Sequence, residues 1–139
     1  MQLRLTKEFS FQMAHALTGY DGKCRNLHGH NYRLLVSVEG SPIDDLDNAK
    51  NGMVVDFGDI KKIVERQIID VYDHALVVTA NSVFADIHET KLIVTDFQPT
   101  CENLLLDFAK RLDGSFPSGI RLVALRLYET DSSFAELFL

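Results

Sequence analysis

Only two cysteines, Cys24 and Cys101, occur in the 139-residue chain, lysine and arginine form no block, and no apolar run approaches the roughly 20 residues that cross a bilayer. Each absence removes a class of function. Two thiols cannot build the framework of a disulfide-stapled secreted domain. Free thiols in a reducing compartment are expected instead, one of them reactive. The N-terminus MQLRLTKEF does not follow the basic-then-apolar layout of a signal peptide, so a cytoplasmic protein with no membrane partner is expected. With 20 acidic residues against 14 basic ones and a net charge of −6, a nucleic-acid-binding face is not expected, and a small-molecule substrate fits better. An anionic substrate would then depend on local cations such as a metal, Lys23 and Arg25. The length suits one domain over residues 1–139, without internal repeats or low-complexity segments.

The densest chemistry lies in CRNLHGHNY, Cys24 to Tyr32. In an extended segment side chains alternate faces, so His28 and His30 project to the same side, with Gly29 between them adding no bulk. The following YRLLVSV is rich in β-branched and aromatic residues and supports a strand. A catalytic zinc site takes three protein ligands and leaves a position open. His15 is the best third ligand, because Phe9, Phe11 and Met13 precede it at period two and aim it inward. The glycine-containing loop from Thr18 to Lys23 predicts a hairpin that brings His15 to His28 and His30. A lone imidazole on an apolar face is usually a hydrogen-bonded core residue, but three converging ones would each need polar partners. Cys24 could complete the set as a fourth ligand or act beside it. His88, in ADIHET, reads as a surface loop residue.

Downstream, residues 40–52 predict a turn-forming connection and MVVDF a short strand-like run. Ile60, Ile63, Val64, Ile68 and Val71 recur at helical spacing up to Tyr72. Residues 73–81 read as a loop. The stretch from Val77 to Asp96 carries no motif, although KLIVTDF could form a short strand. Thr100 predicts an N-cap for a helix with the apolar stripe Leu104, Leu105, Phe108 and Leu112. Two strands follow, over residues 120–128 and 134–139. The order ββααββ predicts an α+β fold with two helices on one face of a sheet.

Three further pieces are ambiguous on their own. Asp73-His74 could be a carboxylate orienting a proton-relaying imidazole, or a histidine favoured by a helix C-terminus. Glu102, after Thr100, suits a helix N-terminus without any function. Glu129 closes an apolar strand where binding carboxylates and turns both occur.

Taken together, FSFQMAH, CRNLHGHNY, GMVVDFGDIK, YDHAL, PTCEN and LYET appear in an order that resembles the 6-pyruvoyltetrahydropterin synthase and 6-carboxytetrahydropterin synthase family, along the whole chain. The resemblance implies a tunnelling fold (T-fold) with a four-stranded antiparallel sheet and two helices. It also implies trimers pairing into homohexamers with active sites between subunits, and 7,8-dihydroneopterin triphosphate as substrate. Zinc would be held by His15, His28 and His30, with Cys24 as proton acceptor, Asp73 and His74 as its relay and Glu129 as the anchor of the pterin ring. Thr100 and Glu102 would extend that polar pocket, while Cys101 would be structural. The three residues between Cys24 and His28 resemble the shorter arrangement of bacterial enzymes that make the 6-carboxy product, with acetaldehyde release, for queuosine biosynthesis. Two other expectations stand beside this one: a 6-pyruvoyltetrahydropterin synthase, and a non-catalytic module stabilised by zinc.

Overall fold

The computed structural model describes residues 1–139. Strands β1 (Leu3–His15) and β2 (His28–Gly40) form the predicted hairpin, in one unbroken antiparallel register from Leu3 opposite Gly40 to His15 opposite His28. The period-two pattern explains its fixity. Phe9, Phe11 and Met13 on β1 and Tyr32, Leu34, Val36 and Val38 on β2 all point into the core, and a one-residue slip would turn every one of them outward.

Asp56 opens the first helical segment, its carboxylate accepting from Gly58 N–H at 2.7 Å. The segment runs as α1 (Phe57–Val64), a π-helical turn (Glu65–Ile69) and α2 (Asp70–Tyr72). Ile60, Val64, Ile68 and Tyr72 are fully buried at intervals of four. In a pure α-helix such a row drifts about 40° per step. The wider π turn takes part of that drift back and keeps the row facing the sheet. MVVDF is not the strand the sequence suggested. Val54 and Val55 are consecutive and both buried, which the alternating faces of a pleated strand with one solvent side do not allow.

The sheet is the main correction. It has six strands rather than four and is mixed rather than antiparallel. Residues 75–79, expected within a loop, form β3 (Ala75–Thr79), which runs parallel to the end of β1 with Ala14 opposite Leu76 and His15 opposite Val77. β4 (Lys91–Thr95) pairs with it in parallel. After α3 (Cys101–Leu112), β5 (Arg121–Thr130) pairs with β2 and β6 (Ser133–Phe138) with β5, giving the order β4-β3-β1-β2-β5-β6. β3 escaped the sequence pattern because it is covered on both faces. Val77 packs into the main core, while Leu76 and Val78 enter a second cluster with Ala16 that Phe84 and Ile87 cover.

Helix α3 starts as predicted, the Thr100 hydroxyl accepting from Asn103 N–H at 3.2 Å. Its Leu104, Leu105, Phe108 and Leu112 meet the π-containing helix on the same sheet face. Tyr72 O–H donates to Asp107 at 2.6 Å and joins the two helices. No helix is long and apolar enough to cross a membrane.

Candidate active site

The end of the β1–β2 hairpin sets His15 directly across from His28, and His30 follows two residues later on the same face. The ligand nitrogens of all three rings lie within 4.8 Å of one another. Two backbone carbonyls fix the tautomers. His15 Nδ1 lies 2.8 Å from Pro99 O and His28 Nδ1 lies 2.7 Å from Asn26 O. A carbonyl can only accept, so each Nδ1 carries a hydrogen and each neutral Nε2 presents a lone pair. Those two Nε2 atoms face each other at 2.9 Å. Two lone pairs repel at that distance unless a cation lies against both. His30 Nε2 is buried with no hydrogen-bond partner, 3.9 Å from Glu129 Oε1. Burial foremost, with repulsion from His28, holds His15 and His30 below the ordinary imidazole value, which keeps the rings neutral and their lone pairs available. The residues fit a metal ion: three converging imidazoles, two with outer-shell partners and one with an orphaned nitrogen.

Beside them opens a cavity of about 360 Å³ that takes in His15, Cys24, Thr100, Glu102 and Glu129. Cys24 reaches it from a single 3₁₀ turn, Lys23–Arg25, whose position is set by Leu17 N–H donating to Cys24 O at 2.9 Å. Glu129 is the penultimate residue of β5 and sits between the Tyr128–Phe134 and Thr130–Ser133 pairs with β6, where the ladder shifts register. Such irregularities re-aim side chains. Lys23 and Arg25 are exposed and do not line this cavity. Cys101 lines it too, but its thiol donates to Leu127 O at 3.3 Å and burial pushes it up to about 11, so it stays a protonated packing group.

Asp73 and His74 are elsewhere in the same chain. His74 lines a second cavity, of about 470 Å³, with Gln12, His30, Asn31 and Thr90, and its side chain is 73% exposed. It is the one non-glycine residue with positive φ, 60°, a conformation that costs a side-chain-bearing residue about 1–2 kcal/mol. Neighbouring hydrogen bonds hold it there. His74 N–H donates to Gln12 O at 2.6 Å, Gln12 N–H donates to Asp73 Oδ1 at 2.9 Å, and His74 Nδ1 lies 3.0 Å from Asp73 Oδ2. That Gln12 amide foremost, with smaller help from His74 and Lys91, keeps Asp73 below the usual carboxylate range. His88 is exposed.

Sequence reasoning did not find the carbonyls of Pro99 and Asn26, which a side-chain pattern cannot reveal, nor the cavity walls Tyr20 and Phe134. It also passed over Tyr32, fully buried, whose hydroxyl has no hydrogen-bond partner. Burial first, then the charge of Glu129, raises that phenol above its ordinary value.

Helices on one face of this sheet, with a three-imidazole cluster at the hairpin end, define a T-fold protein able to hold a metal ion. The chain belongs to the 6-pyruvoyl tetrahydropterin synthase family, whose profile it matches over residues 4–138. It is 38% identical to the 6-carboxy-5,6,7,8-tetrahydropterin synthase of Haemophilus influenzae over 140 residues, covering 96% of each chain. Its structure is similar to that of an uncharacterized protein from Wolinella succinogenes, with a TM-score of 0.80, 21% identity and coverage of 99% and 98% of the two chains. It is also similar to the 6-pyruvoyl tetrahydropterin synthase of Caenorhabditis elegans, with a TM-score of 0.72, 25% identity and coverage of 100% and 96%.

Proposed function

We propose that the chain is a zinc-dependent 6-carboxy-5,6,7,8-tetrahydropterin synthase. It converts 7,8-dihydroneopterin triphosphate to 6-carboxytetrahydropterin, with release of acetaldehyde and triphosphate, in queuosine biosynthesis. The observation that carries this reading is the facing pair of lone-pair nitrogens, His15 and His28 at 2.9 Å, beside a cavity that holds both a free thiol and a carboxylate. The Haemophilus influenzae relative bears the same name at 38% identity.

His15, His28 and His30 would hold the zinc, which supplies Lewis-acid polarisation of the substrate's side-chain oxygens. Cys24 takes a proton from that side chain at Sγ. Glu129, acceptor-only when ionised, receives hydrogen bonds from the pterin ring N–H and amino groups and fixes the ring's orientation. Thr100 and Glu102 extend the polar wall around it. Lys23 and Arg25, exposed on the turn that carries Cys24, offer positive charge to the triphosphate at the cavity mouth. Asp73 and His74 pass the proton on. Within one chain His74, with Asp73 behind it, lines a different cavity from Cys24, which fits a homohexamer, a dimer of trimers, in which one subunit's pair serves a neighbour's thiol.

The C. elegans protein, 25% identical along the whole chain, gives weight to a second reading, a 6-pyruvoyl tetrahydropterin synthase. Incubation of the zinc-loaded protein with dihydroneopterin triphosphate separates the possibilities. Acetaldehyde with the 6-carboxy product is the expected result. A 6-pyruvoyl product would favour the second reading, and tight zinc without any turnover would mark a non-catalytic module.

A further inference from the structure

Lys91 lies in the stretch whose sequence carries no motif. It opens β4, and its backbone stands opposite Ala75, the residue that follows His74. From there its ammonium returns over the end of α2 and donates to Asp70 O at 2.6 Å and to Asp73 O at 3.0 Å. Helix ends leave such carbonyls without intrahelical partners, and an ammonium with three donors can take two of them at once. The bonds to Gln12 hold the Asp73–His74 dipeptide against β1 from one side. Lys91 holds the same dipeptide from the other side, against β4.

We propose that Lys91 is a positioning residue for the Asp73–His74 pair. By tying the Asp70 and Asp73 carbonyls to β4, it keeps His74 in its left-handed conformation with the imidazole facing the cavity of Gln12, Asn31 and Thr90. The catalytic half of this inference rests on the reading of that pair as the proton relay; the conformational half does not. A lysine that merely caps a helix would add stability without affecting His74's work.

The test uses the full chain with Lys91→Met, Lys91→Arg, His74→Ala and the Lys91→Met/His74→Ala double variant, at a temperature where all are folded. In Lys91→Met, hydrogen exchange at His74 N–H is expected to quicken about tenfold while the core-strand amide of Leu34 keeps its rate. Its kcat on dihydroneopterin triphosphate is expected to fall about tenfold at unchanged KM, with Lys91→Arg recovering most of the loss, and Lys91→Met is expected to lower kcat no further once His74 is Ala. Unchanged exchange at His74, a uniform quickening at all amides, or losses that multiply in the double variant would each overturn the proposal. If the wild-type chain does not turn over dihydroneopterin triphosphate, the function proposed above fails. Exchange at His74 then decides the conformational half alone, quickening in its favour and no change against it.

Discussion

His15 and His28 face each other across the end of the hairpin with their Nε2 atoms 2.9 Å apart, while the Nδ1 of each ring is already committed to a backbone carbonyl. Neither ring can rotate to relieve the contact without giving up that carbonyl. A cation resolves the conflict, and His30, with its Nε2 unpartnered, supplies the third donor. Replacing His28 by Ala is therefore expected to weaken zinc binding about 100-fold or more in competition with a chelator, with the fold retained because the His28 ring is only half-buried. Unaltered affinity would mean that the metal sits elsewhere.

The same burial makes the metal-free protein sensitive to mild acid. His15 and His30 are held below the ordinary value of 6.5, so the unfolded chain takes up protons that the folded one refuses. Their contribution to stability is whole above that value and is lost as pH falls below it. Between pH 6.5 and 5.5, denaturant titrations of chelator-treated protein are expected to show a loss of up to about 1.4 kcal/mol per pH unit for each of the two histidines. Asp73 and Glu39, held below their ordinary values, lose their contribution only in more acid solution and do not confuse that window. Saturation with zinc should flatten the slope, because bound metal keeps the rings unprotonated.

Glu129 shares the cavity with Cys24 and His15 rather than an ion pair with any arginine or lysine. Its proposed task is to accept from the pterin. Glu129→Gln replaces one accepting oxygen by a donor, so kcat/KM is expected to fall about 100-fold while zinc content stays at one per chain. Loss of zinc in that variant would instead assign the carboxylate to the metal.

Much of this site is legible in the sequence alone. Period-two alternation fixed the direction of His15 and of the His28–His30 pair, since a hairpin with one buried face has a single tolerable register. What escaped were features without a one-sided pattern. β3 is buried on both faces and so shows no alternation, and its parallel pairing to β1 is a long-range relation that the helical spacing before it does not announce. MVVDF has strand-like composition, yet Val54 and Val55 fill the core from an irregular segment. The π turn is equally silent, because Ile60, Val64, Ile68 and Tyr72 satisfy a helical spacing either way. Lys91 needs the fold to meet the carbonyls of Asp70 and Asp73, roughly twenty positions earlier in the chain, as compact connections allow.

The division of labour between the three imidazoles and Cys24 is the centre of the account, since spacing alone would let Cys24 serve as a fourth ligand. Turnover of dihydroneopterin triphosphate by Cys24→Ala, with its zinc content determined on the same sample, tests it most directly. One zinc per chain with activity reduced about 1,000-fold or more is the expected result. A variant that loses its zinc and unfolds, or one that keeps wild-type turnover, would contradict it.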